Sequence, residues 1–299
     1  MLKNKISPQK KATIISSSVA AILTLIKLAL GILSGSVAVL ASAIDSVLDM
    51  FVSIFNYFAI LNSEKPADKK FNYGRGKIEA LALFIEGIVI TISGLYLLYE
   101  AIKKAIYKET SSYLDISIYV MIISLIITIS LVIYLNSVAK KTNSMVIKAD
   151  ALHYKTDVLS NLAVLFSLIL VHFTNMEIFD VIIGVLIAFY IIYSAFSLIK
   201  KGVLVLLDAS VDDDLVLKIE GILKNDPNLS NFHLLKTREA ANKTFVEAHI
   251  VFNTQQITLI EAHKICDHIE DSIKLIDKNR NWIVNIHLDP YDDYLKDEM

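Results

Sequence analysis

Long apolar stretches dominate the first two thirds of the chain. Six of them reach about 20 residues, which is the length that an α-helix needs to cross a bilayer. They are approximately Thr13–Leu33, Val37–Leu61, Ile78–Ile102, Leu114–Val138, Met145–Val171 and Ile178–Ile199. The first is long and lacks a convincing cleavage site, so we expect a membrane span there and not a signal peptide. The pattern therefore predicts an α-helical membrane protein with six transmembrane helices.

The pattern changes after residue 201, where charges become frequent and no further apolar stretch of that length occurs. The predicted elements are helix Asp212–Lys224, strands Phe232–Thr237 and Thr244–Phe252, helix Ile257–Ile276 and strand Trp282–Leu288. Thr258 followed by Glu261 is typical of a helix capping box. This α-β-β-α-β order predicts a small α/β domain. We expect a transmembrane domain over residues 1–208 and a soluble domain over residues 209–299.

Composition places the chain in the membrane class and excludes several kinds of site. Hydrophobic residues make up 55% of the 299 positions, more than soluble domains usually contain. The net charge of -2 gives no indication of a nucleic-acid partner. A single cysteine, Cys266, excludes a disulfide framework within the chain and a thiolate-rich metal cluster. The partner that composition predicts is the lipid bilayer.

The distribution of basic residues predicts the orientation, because cytoplasmic loops carry an excess of Lys and Arg. One side of the predicted membrane domain carries Lys3, Lys5, Lys10, Lys11, Lys65, Lys69, Lys70, Arg75, Lys77, Lys140, Lys141, Lys148, Lys200 and Lys201. The other side carries Lys103, Lys104 and Lys108. We therefore expect a multi-pass protein of the cell (inner) membrane with both termini in the cytoplasm.

Two pairs of polar residues interrupt the second and fifth spans. Asp45 and Asp49 are four residues apart, as are His153 and Asp157, so each pair lies on one face of its helix. An aspartate at mid-membrane costs about 2.5–3.5 kcal/mol on insertion scales, which packing alone does not explain. Both pairs lie about 9–13 residues into their spans and hence at similar depth. Three carboxylates and one imidazole suit a divalent cation, which predicts a metal transporter.

Other interpretations of these residues remain open at this point. Buried carboxylates can form a proton relay or polar contacts between helices. Intramembrane aspartyl proteases also bury two aspartates, but their Gly-x-Gly-Asp signature does not occur around these residues. No nucleophile with a base and no cofactor loop is recognisable, so we do not expect an enzyme. A membrane-anchored metal sensor without vectorial transport is the main alternative. The donor set accepts zinc and also iron(II), cadmium or manganese.

The six spans, the two paired motifs and the soluble tail together resemble the cation diffusion facilitator family of divalent-metal/proton antiporters. The resemblance covers essentially the whole chain and includes the bacterial zinc- and iron-exporting branch, whose transport site is also Asp-Asp-His-Asp. It implies a homodimer whose metallochaperone-like, ferredoxin-like tails pair in the cytoplasm. It also implies that zinc or another divalent metal, such as iron(II) or cadmium, leaves the cytoplasm in exchange for protons.

The resemblance also implies a regulatory zinc site in the tail. The matching residues are His233, His249, His263, His287 and Asp289. His287 and Asp289 are two residues apart and point to the same face of a strand. The alternative is that the four histidines are ordinary surface residues. The set as a whole favours metal.

The loop after the second span departs from the family pattern. Relatives bind a further metal there through one aspartate and two histidines, whereas this chain has Asp68, Phe71 and Arg75 at the matching positions. A lone carboxylate beside basic residues is a poor cation ligand. We therefore predict that this site is absent or very weak.

Other charged residues lie within the predicted spans, among them Lys27, Glu86 and Lys155. A lysine such as Lys27 can extend its ammonium group towards the membrane surface. The sequence indicates no function for any of the three.

Overall fold

The structure is a computed structural model that describes residues 6–34, 37–107, 115–174, 176, 178–254, 256–278 and 280–292. The chain divides into two compact units, residues 1–203 and residues 204–299. Long helices build the first unit, and a three-stranded sheet with two helices builds most of the second.

Six long helices occupy the positions of the six predicted spans. They are α1 (Pro8–Ser34), α2 (Val37–Ser63), α3 (Lys77–Tyr107), α4 (Asp115–Thr142), α5 (Met145–Thr174) and α6 (Ile178–Leu206). Each has 27 to 31 residues, enough to cross a bilayer. Over the described residues, four of them are also apolar enough to do so, namely α1, α3, α4 and α6. The predicted helical membrane fold is confirmed.

Helices α1 and α2 pack against each other and share polar contacts across their interface. The Thr24 hydroxyl donates to the Ser46 carbonyl at 2.8 Å, and Lys27 Nζ donates to Ser46 Oγ at 2.7 Å. Such contacts satisfy polar groups that lipid cannot hydrogen-bond. Lys27 therefore has a place within the bundle, which the sequence did not indicate.

Helices α3 and α6 approach each other closely at a glycine. A Cβ atom on Gly202 would lie 2.9 Å from the Ala80 carbonyl oxygen and 3.0 Å from the Phe84 nitrogen, both backbone atoms. Elsewhere along this interface, Ile90 and Ile191 bury their side chains together. Small residues at helix contacts are the usual way in which membrane helices gain van der Waals packing.

The second unit contains the remaining elements in the predicted α-β-β-α-β order. They are α7 (Asp213–Lys224), β1 (Leu229–Ala240), β2 (Lys243–Phe252), α8 (Leu259–Ile276) and β3 (Asn281–Asp289). The sheet order is β1-β2-β3, with β1 antiparallel and β3 parallel to β2. Helix α8 makes the crossover that a parallel pair requires. The predicted α/β class of the tail is confirmed.

Helices α7 and α8 bury their apolar faces against this sheet. Ile219, Ile250 and Ile269 are fully buried in the shared core. The capping box at the start of α8 is present as predicted, because Thr258 Oγ1 accepts from the Glu261 N–H at 3.3 Å and Glu261 Oε2 accepts from the Thr258 N–H at 2.9 Å. The side-chain and backbone hydrogen bonds from Thr258 also lower the pKa of Glu261.

Candidate metal centres

Helices α2 and α5 bring three of the four predicted intramembrane ligands together. His153 Nε2 lies 3.0 Å from Asp49 Oδ1 and 3.9 Å from Asp157 Oδ2. One potential ligand atom from each residue lies within 4.8 Å of the others, close enough to hold one ion. The His153 side chain is 4% exposed, whereas those of Asp49 and Asp157 are 26% and 36% exposed. Imidazole and carboxylate together suit zinc or a similar divalent ion.

The fourth predicted ligand, Asp45, lies on α2 one helical turn before Asp49. Its side chain falls outside the part of the chain that the structure describes. Its position on the helix is that of a residue on the same face as Asp49. Its role as a ligand stays a prediction.

Further polar contacts join α2 and α5 along the helix faces that carry these ligands. Ser53 Oγ and the Tyr154 hydroxyl are 2.8 Å apart, and Asn56 Nδ2 donates to Asp150 Oδ1 at 3.4 Å. The α2 residues recur at the three- and four-residue spacing that keeps them on one side of the helix. Asp49 shares that side. The paired spacings in the sequence predicted this facing arrangement but not its additional contacts.

The second unit places three imidazoles in a row across its sheet. His233 pairs with His249 between β1 and β2, and His249 pairs with His287 between β2 and β3. The ring centroids of the two pairs are 5.1 Å and 4.4 Å apart. A bulge follows His233, where Leu234 has a φ of 49° and the register shifts. Such a bulge changes the direction of neighbouring side chains.

Asp289 connects the three imidazoles. Its Oδ2 lies 3.1 Å from His249 Nδ1 and 3.3 Å from His233 Nε2, and its Oδ1 lies 3.3 Å from His287 Nε2. The Asp289 side chain is 8% exposed, whereas that of His287 is 64% exposed. The histidine and carboxylate donors fit zinc by their chemistry. The cluster therefore has a buried end and an end open to solvent.

His263 lies apart from this cluster. It is on the exposed face of α8, where its Nε2 is 3.7 Å from Asp267 Oδ2 and its side chain is 75% exposed.

Asp292 lies beside the cluster, which the sequence did not suggest. Its Oδ1 lies 4.0 Å from His233 Nδ1, and its Oδ2 accepts from Asn231 Nδ2 at 2.9 Å. A carboxylate three residues after Asp289 was the available signal.

The loop between α2 and α3 is stabilised by hydrogen bonds and an ion pair among its own residues. Asp68 Oδ1 accepts from the backbone N–H groups of Lys70 and Phe71 at 2.9 Å, and Asp68 Oδ2 pairs with Arg75. The Arg75 guanidinium also lies 4.4 Å from the centre of the Phe71 ring. The backbone hydrogen bond from Phe71, followed by the bond from Lys70 and the charge of Arg75, lowers the pKa of Asp68.

These contacts support the prediction of a weak or absent loop site. Two groups of three or more His, Cys, Asp or Glu residues among the described residues have their ligand atoms close together, and Asp68 belongs to neither. Its carboxylate already has a basic partner in Arg75. A metal would have to displace that partner.

Comparisons with known proteins give matches along both units. The family model described as "Cation efflux transmembrane domain" matches residues 13–207, and that described as "Cation efflux protein, cytoplasmic domain" matches residues 211–291. "Protein p34" of Rickettsia prowazekii is 33% identical and covers 94% of this chain and 92% of its own length. "Cation-efflux pump FieF" of Shewanella oneidensis is 35% identical, with 92% of both chains covered. A solved "Metal-bound C-terminal domain of CzcD transporter" from Thermotoga maritima is 24% identical, covers 26% of this chain and 87% of its own, and has a TM-score of 0.24.

Proposed function

Since the chain belongs to the cation efflux family, we propose that it exports divalent metal cations from the cytoplasm in exchange for protons. Family membership agrees with the resemblance noted in the sequence and with the expectation that the chain is not an enzyme. The observation that carries the proposal is the convergence of Asp49, His153 and Asp157 inside the helical unit. We propose Asp45 as the fourth ligand of the transported ion.

The donor set indicates which cargo the site accepts. Nitrogen and oxygen ligands in a small group suit zinc, and they also accept iron(II), cadmium and manganese. We propose zinc as the first cargo to test. The metal would be a substrate at this site and not a resident cofactor.

The contact between Asp49 and His153 supports an exchange with protons. His153 Nε2 and Asp49 Oδ1 are 3.0 Å apart, so one proton lies between them in a hydrogen bond. A metal ion coordinates His153 through the lone pair of Nε2, and that lone pair is available only when no proton is bound there. Metal binding therefore displaces the proton. Binding of metal and binding of this proton are therefore mutually exclusive. A site that is exposed alternately to two sides would exchange one for the other.

The positions of the ligands along their helices are compatible with alternating access. Asp49 is in the middle of α2, and His153 is about a third of the way along α5. We propose that the protein spans the cell membrane with both termini in the cytoplasm, as the basic residues predict. The ligands then lie within the bilayer, within reach of either side.

Reconstituted vesicles that contain a pH-sensitive dye test this proposal. We expect external zinc to drive proton movement in native vesicles and not in Asp157→Ala vesicles, because one ligand is missing. Asp213→Ala, an exposed residue of α7, is the matched control and should behave as native protein. Native flux in Asp157→Ala vesicles would refute the assignment. No flux with zinc, iron(II), cadmium or manganese, despite metal binding by the tail, would favour the membrane-anchored sensor.

We further propose that the soluble domain binds a regulatory zinc ion and joins two chains in a homodimer. His233, His249, His287 and Asp289 are the candidate ligands, and we include His263 only as predicted from the family pattern. His249→Ala should weaken zinc binding by about tenfold or more, by analogy with losses around metal sites. His268→Ala on α8 is the control. Equal zinc affinity in the two variants, measured by calorimetry on the full chain, would contradict this site.

A further inference from the structure

A second polar cluster lies in the interior of the helical unit. Asn56 of α2, Glu86 of α3 and Asp150 of α5 are each no more than 1% exposed. Asn56 Nδ2 donates to Glu86 Oε2 at 3.1 Å and to Asp150 Oδ1 at 3.4 Å. One amide nitrogen thus holds two carboxylates from two other helices close together.

Three oxygen atoms of this cluster have no hydrogen-bond partner among the described residues. They are Asn56 Oδ1, Glu86 Oε1 and Asp150 Oδ2, and all three are buried. Buried polar atoms are almost always paired, since an unpaired one loses its bond to water and gains nothing in return. Three unpaired oxygens on three neighbouring residues indicate a ligand that is bound through oxygen.

The cluster lies near the candidate transport ligands without including any of them. Asn56 follows Asp49 by seven residues on α2, and Asp150 precedes His153 by three residues on α5. At 1.5 Å per residue these offsets correspond to about 5–10 Å along the helices. Both offsets run towards the end of the bundle where α2 ends and α5 begins. In the proposed orientation, that end faces the cytoplasm.

We propose that Asn56, Glu86 and Asp150 form a loading site that binds the divalent cation through oxygen atoms before it reaches Asp49 and His153. Carboxylate and amide oxygens are ligands for hard divalent cations such as manganese and accept zinc less selectively than imidazole does. A cation neutralises two buried carboxylates that otherwise repel each other. An oxygen-only site also holds zinc less firmly than one with a histidine, so the cargo can pass on. This step rests on the proposed export function.

Two isosteric variants test the loading site in the full chain reconstituted in lipid. Glu86→Gln and Asp150→Asn each keep an oxygen that accepts from Asn56 Nδ2 but remove a negative charge. Glu100→Gln, on the same helix as Glu86, is the matched control. The readouts are the number of Mn²⁺ ions bound per chain at equilibrium, the zinc concentration for half-maximal uptake, and the thermal midpoint of the metal-free protein.

We expect each variant to bind one Mn²⁺ fewer per chain and to need about tenfold more zinc for half-maximal uptake, with the maximal rate retained. The metal-free variants should melt at or above the native temperature, because a buried repulsion is removed. A cluster that only held the helices together would give the opposite thermal result, with no change in Mn²⁺ binding.

Equal Mn²⁺ binding and equal half-maximal zinc in native and variant proteins would overturn the loading site. So would a change confined to the pH dependence of uptake, which would assign the cluster to protons. These outcomes are separable from the export proposal. If Asp49→Ala abolishes uptake while Glu86→Gln and Asp150→Asn behave as native protein, only the loading site fails. If Asp49→Ala transports normally, the proposed transport site fails whatever the cluster binds.

Discussion

Glu79 provides a measurable link between three helices. It is 5% exposed, and its carboxylate accepts from Ser63 Oγ at 3.1 Å, from Ser144 Oγ at 2.9 Å and from the Met145 N–H at 3.1 Å. These donors lie at the end of α2 and at the start of α5. Hydrogen bonds to a charged group contribute about 1.5–3 kcal/mol each, but contributions that share one carboxylate are not additive. We expect Glu79→Ala to lower the free energy of unfolding by about 3–5 kcal/mol, as for other broken buried networks.

Thermal unfolding of the full chain in detergent, followed by circular dichroism, measures this effect. A loss of that size lowers the melting temperature of a 150–250-residue unit by roughly 6–20 °C. The control is Glu64→Ala, which removes the 2.8 Å ion pair with Lys10 and an exposed hydrogen bond from Ser7 Oγ. That pair is partly exposed, and such pairs contribute about 0–1 kcal/mol. The single tryptophan, Trp282, lies in the second unit, so the Trp282 fluorescence transition should stay unchanged in both variants. Equal melting temperatures for the two variants would refute the reasoning.

Four further outcomes follow from local structure. Gly202→Ala should lower the melting temperature, because the new Cβ would meet backbone atoms of α3. Gly221 lies on α7 with open space around it, so Gly221→Ala should raise the unfolding free energy of the second unit by about 1 kcal/mol, as followed by Trp282 fluorescence. Burial, followed by the charges of Glu270 and Asp267, raises the pKa of Cys266 to about 11. The folded chain should therefore resist maleimide at pH 8, and fast labelling of the folded chain at that pH would contradict this. Thr258→Ala should reduce the stability of the second unit by about 1 kcal/mol through loss of the helix cap, and an unchanged Trp282 transition would argue against it.

Hydrophobic patterning was sufficient to predict the elements, but their ends depend on local chemistry. The six apolar stretches correspond to α1–α6, and the tail follows the predicted order. Helix α1 begins at Pro8, five residues before the apolar stretch, since proline is favourable in a first helical turn and lysines can extend a helix beyond the apolar region. Strand β1 begins at Leu229 and not at Phe232, because backbone pairing with β2 includes the polar residues before Phe232. The residues before Phe232 do not alternate between apolar and polar, so the sequence pattern did not predict that they belong to the strand.

The candidate sites were predictable where their residues share one helix or strand. The four-residue spacings identified Asp49, His153 and Asp157, and the two-residue spacing joined His287 to Asp289. The cluster of Asn56, Glu86 and Asp150 is made from three helices, and one sequence does not show which faces of those helices meet. The sequence signals were Glu86, a charged residue within the third span, and Asp150, one turn before His153 on α5. The bulge after His233 depends likewise on pairing between strands.

The polar links of α3 are distributed unevenly along the bundle. This distribution affects the side from which the candidate transport ligands could become accessible. Glu79 contacts α2 and the start of α5, and Glu86 contacts Asn56 of α2; both glutamates lie in the first ten residues of α3. Opening the bundle at this end must break one of these links. Separation at the opposite end leaves both intact. If this end is cytoplasmic, as the basic residues predict, the two glutamates hold the inner side closed. A cation would bind Glu86 through Oε1, while Oε2 keeps its contact with Asn56. Cargo loading and opening of the inner side would then depend on the same carboxylate.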